Sequence, residues 1–123
     1  MLEKMNMQNM QVMKNSGAYV WTNHSKYKML QYNLSPMAIK SVVRRPERKE
    51  AGIAPKTIAV MKRKDNAKIK KEIWVMYQKF GQKMKIISTW IYPGTSPKGK
   101  EIYIPDDVWE ELKKIKIEQI ITK

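Results

Sequence analysis

Residues 72–91 read EIWVMYQKFGQKMKIISTWI. Two runs rich in β-branched and aromatic residues flank Phe80-Gly81-Gln82-Lys83, and glycine in so short a link is a turn signal. The stretch predicts an antiparallel hairpin with strands over 72–79 and 84–91. A two-residue period along the second strand puts Met84, Ile86, Ser88 and Trp90 on one face and Lys85, Ile87, Thr89 and Ile91 on the other. Upstream, TIAVMKR (57–63) has the same character. It predicts a further strand, joined to the hairpin by the polar, basic link KDNAKIKK (64–71).

Ahead of the strands the period changes. In WTNHSKYKMLQYNLSPMAIKSVVRRPE (21–47), Thr22 or Asn23 caps a helix that runs to about Tyr32. Asn33 suits the left-handed position that closes a helix, with Leu34 folding back on the last turn. Ser35 then caps a second helix with Pro36 in its first position, and Ala38, Ile39, Val42 and Val43 give it an apolar stripe. Arg45 precedes Pro46 and is pushed to extended geometry, which ends that helix. AYVW (18–21) is either a short strand or an apolar strap, and the Met-, Asn- and Gln-rich residues 1–17 are expected to be a poorly ordered leader.

After the hairpin, YPGTSPKGK (92–100) is a broken loop, and Pro105-Asp106-Asp107 opens a helix through about Gln119. Its acids come first and its lysines later, as the helix dipole favours. The expectation is one α+β domain over residues 18–123. Two short N-terminal helices pack on one face of a three- to four-stranded antiparallel sheet, followed by a C-terminal helix.

Composition narrows the function. The chain has 123 residues, no cysteine and one histidine, which excludes disulfides, thiolate chemistry and a histidine-rich metal site. No metal and no cofactor are expected. No apolar run is long enough for a membrane span or a signal peptide, so a cytoplasmic protein without a membrane partner is expected. The net charge is +14, from 25 Lys and Arg against 11 Asp and Glu. The excess sits in the middle of the chain: residues 57–100 hold 11 basic and 2 acidic side chains, whereas residues 101–123 hold 4 and 6. Such a charge on a small domain favours a polyanionic partner, nucleic acid first.

His24, in the first turn of the first helix, shares a face with Lys28 four residues on. A metal-independent ribonuclease needs an acid, a base and cations around the phosphate. His24, Lys28, Arg44 and Arg45 could supply them if the second helix ended near the start of the first; equally, His24 could only cap or pack. Arg44 and Arg45 offer the donor fork that matches phosphate oxygens, and Arg48 and Lys49 continue that basic junction. Lys85 adds a cation on the sheet. Ser88 could present a hydroxyl to a ligand or allow close helix packing. Trp90, with Trp74, Tyr77 and Tyr92, could stack bases or fill the core.

The stretch HSKYKMLQYNLSPMAIKSVVRRPE (24–47) resembles a bacterial family of small uncharacterised domains whose pattern runs His-Ala, Arg-Met, Arg-Gly-Ile-Ser, an apolar helix and Asn-Pro-Glu. His24, Met29, Leu34, Ser35, Pro46 and Glu47 fit it. IWVMYQKFGQKMKIISTW (73–90) is similar to the closing hairpin of that family and of BrnT-type toxins, which belong with RelE-like ribonucleases. There Lys85, Ile86, Ile87 and Ser88 match in kind, while Trp90 replaces a terminal arginine. The resemblance spans residues 19–92 and leaves 93–123 outside. It implies a RelE/BrnT-like fold and an RNA-acting protein, either a metal-independent, mRNA-cleaving endoribonuclease or a relict of one. In it His24, Lys28, Arg45 and Ser88 would be catalytic, and Arg44, Arg48, Lys49, Lys85 and Trp90 would hold nucleic acid. The implied partners are RNA, ribosome-bound mRNA included, and an acidic antitoxin-like protein. The alternatives are a non-catalytic nucleic-acid-binding module or a domain that binds only an acidic protein.

Overall fold

The computed structural model describes residues 18–51 and 54–121, with side chains of the last helix described through Ile115; the expected leader, residues 1–17, lies outside them. The elements are β1 (Tyr19–Trp21), α1 (Asn23–Tyr32), α2 (Pro36–Arg44), β2 (Arg48–Ala51), β3 (Thr57–Arg63), β4 (Lys71–Phe80), β5 (Lys83–Pro93) and α3 (Asp106–Ile121). The strands form one five-stranded sheet, ordered β1-β5-β4-β3-β2. β2 to β5 pair antiparallel, and β1 joins β5 in parallel. The chain is α+β as expected, but its sheet is wider than three or four strands, and mixed.

The local signals that placed the helices act as their chemistry requires. The Thr22 hydroxyl accepts the Ser25 N–H at 3.0 Å, and Ser35 accepts that of Ala38 at 3.1 Å. Asn33 sits at φ 56°, and the Leu34 N–H reaches back to the Met29 carbonyl at 2.8 Å, closing α1. The added strands carry weak signals. β2 reads RKEA and pairs only with β3, an edge position that tolerates three charges in four residues. β1 has three residues, with Tyr19 and Trp21 turned inward.

A β-bulge corrects the facial pattern expected for β5. Tyr77 pairs with Ile86 but Met76 pairs with Ser88, so Ile87 is an extra residue. Alternation is thereby reset. Met84 and Ile86 pack with α1 and α2 in a core that includes Met29, Leu34, Ile39, Val42 and Tyr77. Trp90 packs on the other side, with Trp74, Met76, Val108 and Leu112, and Ser88 lies opposite Met76 on that side. The helices therefore cover both faces of the sheet, where one face was expected. The last helix was outside the resemblance, and its Val108 and Leu112 are 0% and 1% exposed.

Helix α3 is thus part of the hydrophobic core. Leu112→Ala is expected to destabilise the protein by about 2–5 kcal/mol, the usual cost of a leucine deleted from a packed core. Urea unfolding followed by far-UV circular dichroism checks this; a loss below about 1 kcal/mol would mean that α3 only rests on the surface.

Candidate functional site

Helix α1 starts at the bulge. The Thr22 hydroxyl lies 2.8 Å from the Ile86 carbonyl oxygen and 3.2 Å from that of Ile87, and the Thr22 N–H also donates to Ile86. This anchor sets His24 beside Ser88, the residue that the bulge has turned towards α3. His24 Nε2 lies 3.0 Å from Ser88 Oγ, and Nδ1 lies 3.8 Å from a Glu111 carboxylate oxygen. The second distance is ion-pair range and too long for a hydrogen bond. One turn on, Lys28 is 4% exposed and donates to Asp107 at 2.6 Å, with Gln31 at 3.3 Å and the Tyr32 ring at 5.0 Å. Residues 24, 28 and 32 form one stripe of α1, and the acids of α3 meet it.

An acid, an imidazole and a hydroxyl in that order could in principle activate the hydroxyl. Here Ser88 has 0% exposure, so it meets no substrate while α1 and α3 stay in place. Burial lowers the His24 pKa below its ordinary 6.5 and outweighs the opposing pull of Glu111 and Asp107. For Asp107, burial acts upward, but the Lys28 ammonium prevails and holds the carboxyl below its usual range.

A second constellation lies where β2 begins, β3 ends, β4 begins and β5 ends. Arg48 pairs with Met61, Arg63 with Glu72 and Lys71 with Pro93, so these positions share one end of the sheet. The segments 44–50, 62–72 and 93–100 converge there with 12 basic and 4 acidic residues, a net of +8 out of the chain's +14. Among them opens a cleft of about 440 Å³ lined by Glu47, Arg48, Met61, Arg63, Asp65, Lys70, Glu72, Thr95, Ser96 and Lys98.

The deepest charge of that cleft is Glu72, 1% exposed. It accepts from the Ser96 hydroxyl at 2.6 Å, the Ser96 N–H at 3.0 Å, the Trp74 indole N–H at 3.0 Å and Arg63 at 3.2 Å. Burial alone would raise its pKa; the donors outweigh burial and hold the carboxyl below its usual value. Arg63 also clasps Asp65 with two bonds, at 2.9 and 2.8 Å. Arg48 donates to Glu50 and Ser96, both at 2.9 Å, and lies 5.3 Å from the Trp74 ring.

Of the residues singled out by sequence, His24 and Ser88 are brought together. Lys28 is consumed by Asp107 and does not stand free for phosphate. Arg44 and Arg45 are exposed at the end of α2, where the chain turns into β2, whereas His24 lies against β5, with β4 and β3 between β5 and β2 in the sheet. Among the described residues no hydrogen bond or ion pair joins Arg44 or Arg45 to His24 or Lys28, whose partners are Ser88, Glu111, Asp107 and Gln31. Lys49 is exposed, Arg48 is committed to internal contacts, and Lys85 is half-buried within β5. Trp90 is 0% exposed and stacked on Trp74 at 6.1 Å, so it is core and offers no ring to a base. Sequence reading missed Glu72, Arg63 and Ser96, whose partners are 9 to 24 residues apart and marked by no motif. It also missed Tyr103, 55% exposed and against Tyr92 at the same end.

No family model matches the chain, and neither a curated protein nor a solved structure matches it. Among the described residues no helix is long and apolar enough to cross a membrane, and no group of acidic, His or Cys side chains could hold a metal ion.

Folded His24 binds a proton less readily than unfolded His24, so its contribution to stability is present above about pH 6.5 and is lost as pH falls through that value. Chemical denaturation is expected to show wild-type stability declining between about pH 7.5 and 5.5, with His24→Gln flat over the same window. An equal decline in both proteins would assign the effect elsewhere.

Proposed function

We propose that this chain is an RNA-binding protein, a non-cleaving relative of the RelE- and BrnT-like proteins it resembles, and that the basic end of the sheet is its contact surface. The observation that carries this reading is the net charge of +8 on three converging segments. Most of those cations stay unneutralised: Arg44, Arg45, Lys49, Lys64 and Lys68 have no ion-pair partner among the described residues. Cations at this density attract a phosphate backbone and release its counterions. Tyr92 and Tyr103 add rings at the same end, and base stacking on aromatics beside a basic groove is how single strands are held.

A second reading, a metal-independent ribonuclease, draws on the 3.0 Å contact between His24 and Ser88. It requires α3 to withdraw, because Glu111 and Asp107 occupy the stripe of α1 on which His24 and Lys28 lie.

Fluorescence anisotropy with a labelled single-stranded RNA over a salt series, with chelator present, separates these readings. The expected result is binding of intact RNA, with log affinity falling by about 0.7 per phosphate contact against log salt. Arg44→Ala combined with Arg45→Ala should make that slope shallower by about 1.4. Cleavage by wild type but not by His24→Ala would establish the ribonuclease instead. Absence of binding at physiological salt would leave an acidic protein as the partner.

A further inference from the structure

The cleft over Glu72 contains groups that the fold does not use. Arg48, Arg63, Asp65 and Glu72 are joined to one another through Ser96 or directly, and form a fixed floor. Lys70 and Lys98 are exposed on its lining with no ion-pair partner among the described residues. Thr95 also lines it, and its hydroxyl has no hydrogen-bond partner among the described residues. Glu47 gives one carboxylate oxygen, Oε2, to the Arg63 N–H at 2.5 Å, and its Oε1 has no partner among those residues.

We infer that this cleft is a one-nucleotide subsite for single-stranded RNA, with Lys70 and Lys98 on the phosphate and Glu47 reading an amino-bearing base. The inference rests on the RNA-binding reading and names where one base is held. A volume of about 440 Å³ is that of a small-molecule site, larger than an inorganic anion needs. Glu72 opposes an anion on the floor of the cleft, while Lys70, Lys98 and the acceptor of Glu47 are exposed around its rim. The matching ligand carries both an anionic group and a hydrogen-bond donor. A nucleotide whose base carries an exocyclic amino group has that form. Met61 supplies apolar surface for the ring. A carboxylate accepting from the cytosine amino group is an established base-reading pair, and unstacked bases of single strands expose that edge.

Cytosine and uracil differ there in sense, amino donor against carbonyl acceptor, which makes the test chemical. Isothermal titration of the full chain with CMP, UMP and inorganic phosphate is expected to rank CMP about fivefold above UMP, one hydrogen bond's worth, with phosphate weakest. In Glu47→Gln the amide oxygen can still accept from Arg63 while the amide NH2 presents a donor, so the preference for CMP should vanish or invert. Lys70→Ala with Lys98→Ala should weaken both nucleotides alike. Phosphate competing as well as CMP, or an unchanged preference in Glu47→Gln, would overturn the subsite. RNA bound in the anisotropy assay without any mononucleotide binding would remove this inference and leave the RNA-binding reading standing; no binding of either would remove both.

Discussion

Glu72 places a carboxylate at 1% exposure in the most cationic part of the chain, and the organisation of that end depends on it. An isolated buried carboxylate is costly, and this one persists because hydroxyl, amide, indole and guanidinium donors satisfy it together. The three residues that supply them belong to different parts of the structure. Ser96 brings the 93–100 loop onto the sheet, Trp74 orients one half of the stacked tryptophan pair, and Arg63 fixes the end of β3. Removal of the carboxylate would leave the Trp74 indole N–H and the Ser96 donors without their acceptor inside the protein, while Arg63 would keep Asp65.

The same network divides the local cations into two sets. Arg48 and Arg63 are turned inward and neutralised by Glu50, Asp65 and Glu72. The outer lysines, with Arg44 and Arg45, keep their charge at the surface. Self-repulsion of that kind works against the compact state, and a polyanion would relieve it. His24 lies apart from that end, against β5, where α3 supplies an acid that pairs with Lys28 instead of leaving it for phosphate.

Much of the fold was legible because its determinants are local. Thr22, Asn33, Ser35, Pro36 and Gly81 act on bonds within a few residues of themselves, so the helix ends and the hairpin turn could be read directly. The bulge at Ile87 could not: KIIST carries no glycine, its Ile-Ile pair also suits a regular strand buried on both faces, and only pairing with Met76 and Tyr77 reveals the extra residue. That one residue moved Ser88 and Trp90 to the face covered by α3. β2 was hidden by its charges, and β1 by its length. At the site, His24 and Ser88 were both picked out by residue type and position, but their contact spans 64 positions and needed the fold to bring it about. Glu72 looked like an ordinary strand-end charge because nothing nearby in sequence predicts the loop that buries it.

The most direct measurement is a two-dimensional amide NMR titration of the full chain with a short single-stranded RNA. If the basic end is the contact surface, shifts will concentrate in residues 44–49, 62–71 and 94–100, with α1 near His24 and the facing turn of α3 unmoved. Shifts centred instead on His24, Ser88 and the start of α3 would contradict the account and move the site to the histidine cluster.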